Sequence, residues 1–271
     1  MSTTISEIPP VGFGTWPLTG REAQNAVASA LEVGFRHIDT AQMYENEVEV
    51  GAALAGSGVP RNELFVVTKV MPHHFATGTV EPSVERSLES LQLDHVDLLL
   101  VHWPPQDVPT EAVIDRLMAV CERGLCSRIG VSNFNLSMME RAVARAPGAV
   151  ATNQIEFHPL LDQSRMLAAA NRLGTCLTAY CPLARGQALQ DPVIRDVAAR
   201  LERPPAQVVL RWIVQQGVVV ISMSTKRANM AGNLEALTFE LSESDMAAIS
   251  ERTATGLRIV DPAGTAPDWN A

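Results

Sequence analysis

Apolar positions along the chain follow two alternating rhythms. Short, near-continuous apolar runs occupy residues 11–15, 35–39, 64–70, 96–101, 128–131, 150–155, 175–180 and 218–221. Between them, apolar residues recur at three- and four-residue spacing, the period of a helix with one buried face. Ala23, Ala26, Val27, Ala30, Leu31 and Gly34 mark one such face. Val80, Val84, Leu88 and Leu91 mark another, with Glu85, Arg86 and Glu89 on the far side. Thr110 before Glu111 reads as a helix N-cap. Pro204–Pro205 followed by AQVVLRWIVQQG reads as a helix started by proline and stopped by Gly217.

A run such as VDLLLV is apolar on both faces. That suits a strand in a parallel sheet covered by helices. Eight such runs alternating with helices, in a chain of about the usual 250 residues, predict an α/β fold of the (β/α)8 TIM-barrel kind. A doubly wound sheet would place a glycine-rich fingerprint after its first strand. Here VGFGTWP has Gly12 and Gly14, no third glycine, and then Pro17. One barrel domain is expected over residues 1–271, with 251–271 as a loop-like C-terminal tail.

Composition narrows the classes. Apolar residues make up 46% of the chain, enough for a sizeable core. Lys and Arg total 21 against 30 acidic residues, a formal charge of -9, and no basic run stands out, so no nucleic-acid partner is expected. No apolar stretch approaches the roughly 20 residues a membrane span needs, so no membrane partner is expected either. Met1–Pro10 lacks the charged and apolar regions of a signal peptide. Cys121, Cys126, Cys176 and Cys181 show no metal-type spacing and read as buried, reduced thiols. His73 and His74 read as solvent-facing loop residues rather than ligands. A cytoplasmic monomer without a metal is the expectation.

In barrels of this kind the chemistry gathers at the C-terminal ends of the strands. The second run ends in Asp39, with Tyr44 in the loop beyond, and the third closes on Lys69. The fourth delivers His102 and Trp103, the fifth Ser132 and Asn133. The sixth delivers Gln154, with Glu156 and His158 beyond it, and the seventh Tyr180. Each has a bland reading taken singly: a helix cap, a snorkelling lysine, a satisfied core histidine, a packed tyrosine. Jointly they fit proton delivery to a carbonyl. A free tyrosine has a pKa of about 10 and is a poor acid unless a cation stabilises its phenolate. Lys69 can do that, Asp39 can keep Lys69 charged, and His102 can orient a carbonyl by a hydrogen bond. Tyr44 would then protonate the oxygen as a hydride reaches carbon. No side chain supplies a hydride, so a cofactor must. Ser132, Asn133 and Gln154 suit a carboxamide, and the Tyr180 ring suits stacking. A nicotinamide has both features.

These segments resemble the aldo-keto reductases, closest to bacterial members of the 2,5-diketo-D-gluconic acid reductase kind. The resemblance rests on GFGTWPL, GFRHIDTAQMYENEVEVG, LFVVTKV, DLLLVHWP, IGVSNF, TNQIEFHP, TAYCPLARG, PPAQVVLRW and NLEALTFELSESDMAAI, in the family's order and nearly spanning the chain. It implies NAD(P)H-dependent reduction of an aldehyde or ketone, with Asp39, Tyr44, Lys69 and His102 as the catalytic tetrad and Tyr44 as general acid. It implies cofactor contacts from Gly14, Thr15 and Trp16, from Asp39, and from Ser132, Asn133, Gln154 and Tyr180. It also implies contacts from Cys181, Leu183, Arg185 and Gly186 beyond the seventh strand. Past the eighth strand it implies Ser222, Met223, Ser224, Thr225, Asn229 and Asn233.

The family's segment after the eighth strand usually reads I-P-K-S, its lysine holding the 2′-phosphate of NADP(H). Here it reads ISMST, with Met223 at the lysine position and Asn229 where a second phosphate-binding arginine often stands. NADP(H) is the expected cofactor, with Lys226 and Arg227 as substitute cations and NAD(H) tolerance as the consequence of Met223 and Asn229. A small-molecule carbonyl substrate is expected in an open apolar pocket formed by Trp16, Tyr44, His102 and Trp103, with Trp269 a further candidate. The alternative is a regulatory barrel, like a channel subunit, that binds cofactor with little turnover; the complete tetrad argues for the enzyme. A barrel for sugar phosphates would want a glycine-rich phosphate site after the seventh and eighth strands, and ARGQ has one glycine.

Overall fold

In the computed structural model, which describes residues 8–271, eight parallel strands close into a barrel in chain order. They are β1 (Val11–Gly14), β2 (His37–Asp39), β3 (Phe65–Val70), β4 (Leu98–Val101), β5 (Ile129–Ser132), β6 (Val150–Glu156), β7 (Cys176–Tyr180) and β8 (Val219–Ser222). Each coincides with one of the eight apolar runs, shortened at its N-terminal end in most cases. Closure comes from β1 pairing with β8, with Gly12 opposite Ile221 and Phe13 opposite Ser222. The expectation of no leader over Met1–Pro10 rests mostly on residues outside those described. No helix among the described residues is long and apolar enough to cross a membrane.

Helices cover the outside. In chain order they are α1 (Gly20–Val33), α2 (Glu47–Gly56), α3 (Pro72–Thr77), α4 (Val80–Leu91), α5 (Thr110–Glu122), α6 (Leu136–Arg145), α7 (Ser164–Leu173), α8 (Pro192–Arg200), α9 (Pro205–Val214), α10 (Arg227–Leu234) and α11 (Glu243–Ser250). The periodic faces are buried as expected, with Ala23, Ala26, Val27, Ala30 and Leu31 inward on α1 and Val80, Val84, Leu88 and Leu91 inward on α4. Three local readings change. Pro109, not Thr110, holds the cap position of α5, and Thr110 is a buried first-turn residue. His73 and His74 lie on the short helix α3 rather than in a loop, His74 half-buried and bonded to Thr79. Cys126 and Cys176 are buried, whereas Cys121 and Cys181 are half-buried.

Strand alternation divides the core in two. On β3, Phe65 and Val67 belong to a cluster inside the barrel with Leu98, Leu100, Cys176 and Val219, while Val66 and Val70 join the larger cluster under the helices. Ile38 of β2 and Leu99 and Val101 of β4 face the helices too. The inward rows therefore run Phe65–Val67–Lys69 on β3, Leu98–Leu100–His102 on β4 and His37–Asp39 on β2. Apolar side chains on β3 and β4, with the buried His37 on β2, fill the lower barrel, and the last inward position of each row is polar and lies at the mouth.

β1 shows why the interior closes there. A Cβ on Gly12 would lie 2.6 Å from Ile221 Cδ1 and 2.9 Å from the His37 ring; one on Gly14 would lie 2.7 Å from Ile221 Cγ2. These glycines make room for the inward side chains of β8 and β2.

Candidate active site

At the mouth, Lys69 is fully buried and its three protons have three acceptors. Nζ donates to Asp39 Oδ1 at 2.6 Å, to the Thr40 carbonyl at 2.9 Å and to Tyr44 Oη at 3.2 Å. Asp39, 3% exposed, uses its other oxygen to accept from Gln154 Nε2 at 2.8 Å. A buried charge pair needs such complete hydrogen bonding to offset the cost of leaving water.

Tyr44 reaches this pair through a 3-10 turn over Gln42–Tyr44. Two neighbouring amides, Gln42 and Asn46, hold that turn. Gln42 Oε1 accepts from the Met71 N–H, and its Nε2 lies 3.1 Å from Ser87 Oγ and 3.2 Å from Ser83 Oγ. Asn46 stands at the cap position of α2 but does not cap it. Its Oδ1 accepts from Thr40 Oγ1 at 2.7 Å, and Nδ2 donates to the Leu18 carbonyl at 2.8 Å. The two residues staple the β2–α2 loop to the β1 loop and to α4. The sequence signal was faint: a dense run of polar side chains between a buried strand and an amphipathic helix.

The Tyr44 ring lies edge-on to His102 at 5.4 Å between centroids and tilted against Trp16 at 5.2 Å. Lys69 Nζ is 4.9 Å from the Tyr44 ring centre. Burial pushes the Tyr44 phenol above its ordinary value, and the nearby Lys69 charge only partly opposes this. For Lys69, burial acts to lower the pKa, but Asp39 and Tyr44 together outweigh it and the ammonium is held above the usual lysine value. His102 is pushed down to about 3, first by burial and then by Lys69, so its imidazole is neutral near pH 7. Its Nδ1 has no hydrogen-bond partner among the described residues.

A second set of polar groups adjoins the first. Tyr180 Oη donates to Asn133 Oδ1 at 2.6 Å, and Asn133 Nδ2 donates to the His102 carbonyl at 3.0 Å. Ser132 Oγ donates to the Gln154 carbonyl at 2.9 Å. Asn133 adopts a left-handed backbone, φ 62°, which turns its side chain back over the strand end. After β7, Cys181, Ala184, Arg185 and Gly186 all have positive φ, at 54°, 49°, 51° and 90°. Leu183 accepts from Gly186 N–H within this coiled loop, and the Arg185 side chain is exposed. Gly14 ends β1 opposite Asp39, and Thr15 follows it, its N–H donating to the Asp39 carbonyl at 3.0 Å.

Beyond β8, Ser222 Oγ is buried without a partner among the described residues. Met223 is 41% exposed. Ser224 Oγ accepts the Lys226 N–H, and Thr225 is exposed. Arg227 is committed to Glu32 of α1 at 2.5 Å, whereas no described residue pairs with the Lys226 ammonium. On α10, Asn229 is exposed and Asn233 buried.

The candidate pocket walls are unequal. Trp16 is 56% exposed at the rim, while Trp103 is buried at 6%, covered by Trp269 of the tail at 6.3 Å between centroids. The tail was expected to be a loop; a 3-10 turn over Glu251–Thr255 opens it and irregular chain follows.

Comparison with known proteins follows the same lines. The model of the Aldo/keto reductase family matches residues 10–253. A methylglyoxal reductase DkgB of Escherichia coli O157:H7 is 43% identical over 267 residues, covering 97% of this chain and 99% of that protein. An aldo-keto reductase of Mycolicibacterium vanbaalenii is 42% identical over 245 residues, covering 89% of this chain and 87% of that protein. A crystal structure of a candidate 2,5-diketo-D-gluconic acid reductase B superposes with a TM-score of 0.93 at 44% identity, covering 97% of this chain and 94% of the other. The aldose reductase of Schistosoma japonicum superposes at 0.87 with 30% identity, over 93% and 90%.

Proposed function

The chain belongs to the aldo/keto reductase family, oxidoreductases that reduce carbonyl groups with a nicotinamide cofactor, and from that premise we propose that Tyr44 is its proton donor. The carrying observation is the Lys69 ammonium, shared between Asp39 Oδ1 and Tyr44 Oη at 2.6 and 3.2 Å. The bound cofactor supplies the hydride. Tyr44 gives the proton on Oη to the carbonyl oxygen as that oxygen gains negative charge. Lys69 stabilises the phenolate left behind, and Asp39 and Gln154 keep Lys69 charged and aimed. His102, neutral, hydrogen-bonds the carbonyl through its imidazole and orients it.

Residues on the β1, β5–β8 side fit a dinucleotide. The unpartnered Ser222 hydroxyl and the carboxamide-like Ser132–Asn133–Gln154 set offer hydrogen bonds, and Tyr180 offers a ring face. We assign NADP(H), with Lys226 as the cation for the 2′-phosphate, because Arg227 is already paired with Glu32 and Met223 and Asn229 carry no charge. One free lysine in place of a lysine–arginine pair should leave NAD(H) usable. The substrate class is small aldehydes and α-dicarbonyls, in line with the methylglyoxal reductases among the relatives and with a mouth walled by Trp16, Tyr44, His102 and Trp103.

The test is loss of reduced-cofactor absorbance with a panel of aldehydes and α-dicarbonyls, NADPH and NADH in parallel. Tyr44→Phe should lower turnover by about 10²–10⁴-fold, the usual contribution of a general acid, while cofactor binding by fluorescence titration stays intact. Consumption of neither cofactor with any carbonyl ends the reductase reading; undiminished turnover by Tyr44→Phe removes Tyr44 from the acid role.

A further inference from the structure

Two residues beyond Gln154 lies a carboxylate that the tetrad does not use. Glu156 is fully buried at the mouth end of β6. Its Oε1 accepts from the Ile259 N–H at 2.8 Å and from His158 Nε2 at 2.8 Å; its Oε2 accepts from the Val260 N–H at 2.8 Å. His158 Nδ1 accepts from the Leu160 N–H, so Nε2 carries the proton given to Glu156. Burial acts to raise the Glu156 pKa, but the bonds from His158, Val260 and Ile259 outweigh it and hold the group ionised. The tail is thus fastened at one point by a charge accepting two successive backbone N–H groups. Next to it Leu257 N–H bonds the Leu160 carbonyl, and Arg258 packs its guanidinium 4.0 Å above the Trp269 ring and 4.0 Å from Glu156.

From that point the tail follows the rim of the barrel. The Asp268 carbonyl accepts from Asn135 Nδ2 in the loop after β5, and the Thr265 carbonyl from Gln106 Nε2 in the loop after β4. Trp269 then lies against Trp103. No regular secondary structure holds residues 257–271. Apart from Glu156, their hydrogen bonds to the barrel are single and span loops.

We propose that Glu156 is a positioning residue for the substrate pocket: it anchors residues 257–260, and so seats Trp269 against Trp103 as one wall of the carbonyl site. This deepens the reductase reading and rests on it for the pocket, but the anchor itself can be tested without turnover. Breaking the anchor frees the wall and leaves the tetrad untouched, so it acts on substrate affinity rather than on the chemical step.

The experiment uses the full chain and two variants. Glu156→Gln keeps the shape of the side chain but sets an N–H against a backbone N–H. Val260→Pro removes one of the donated N–H groups from the tail side and leaves the barrel intact, so it carries the test if Glu156→Gln does not fold. Trypsin cleavage after Arg258, read by mass spectrometry as release of residues 259–271, should be at least about tenfold faster in both, because proteolysis reports local opening. With methylglyoxal, KM should rise about tenfold with kcat within about threefold, the pattern of lost ground-state binding, and NADPH affinity should be unchanged. Cleavage at the wild-type rate in Val260→Pro overturns the anchor. A KM rise without faster cleavage, or a kcat loss equal to the loss in kcat/KM, overturns the positioning role in favour of a direct one. If the wild-type chain reduces no carbonyl, the reductase reading fails and the cleavage result still decides the anchor.

Discussion

Gln154 donates its side-chain N–H to the one Asp39 oxygen that Lys69 leaves free, 2.8 Å from Nε2 to Oδ2. The amide from β6 and the ammonium from β3 thereby share one carboxylate across the barrel, and Asp39 has no unsatisfied oxygen. The pair is dry, with side-chain exposures of 0% for Lys69 and 4% for Asp39.

That arrangement predicts a non-additive stability effect. Lys69→Met leaves Asp39 buried beside one neutral donor, and Asp39→Asn leaves the buried ammonium with neutral acceptors and no counter-charge. Each single change should cost about 3–5 kcal/mol, the usual result of orphaning one partner of a buried ion pair. The double variant should cost clearly less than the sum. Denaturant unfolding of the three variants measures this; additive losses would show that the two charges are not coupled.

The chain has two tyrosines, Tyr44 and Tyr180, and both phenols are held above the ordinary value, chiefly by burial. A spectrophotometric titration of the cofactor-free protein should therefore show little phenolate absorbance at pH 10, where a free tyrosine is half ionised. Unfolding at that pH should release the signal. One phenolate equivalent per folded chain at or below pH 10 would mean that Lys69 outweighs burial.

Acid should destabilise the fold through His102. Its folded pKa is about 3 and its unfolded reference 6.5, so between these values the unfolded chain binds a proton that the folded chain does not. Stability from this group is complete above pH 6.5 and falls as pH drops toward 3. His37, also pushed down by burial, acts in the same direction. Midpoints of urea unfolding between pH 7 and 4 should fall for the parent and fall less steeply for His102→Gln. Equal slopes would place the protonation elsewhere.

Met223→Lys should tighten NADPH more than NADH, because it adds a cation beside Ser224 and Lys226 without changing the nicotinamide end of the site. Lys226→Ala should do the reverse. Binding titrations with both cofactors read the difference; equal changes for both would show that the 2′-phosphate does not lie near residues 223–226.

The tail and the loop after β2 show where legibility stopped. Gln42, Asn46 and Glu156 make their decisive bonds to residues far along the chain: Ser87, Leu18 and Val260. No period or cap signal encodes such partners, since a side-chain amide or carboxylate has the same local propensity whichever donor it later meets. Asn46 stands at a cap position, which is a local property, but its side chain bonds the β1 loop instead.

By itself the sequence determined the eight-fold alternation of strand and helix, hence the barrel, and the polar residue that ends each inward row. Both are local properties, set by the two-residue period of strands and the 3.6-residue period of helices. Tertiary structure decided which groups meet. Register puts Asp39 beside Val67 on β3, two residues short of Lys69, so the carboxylate meets the ammonium only where both rows lean into the closed mouth. In the sequence Gly12 and Gly14 stand as a broken fingerprint within a family segment; closure of β1 on β8 reveals them as space for Ile221 and His37. That space exists only when the first and last strands pair.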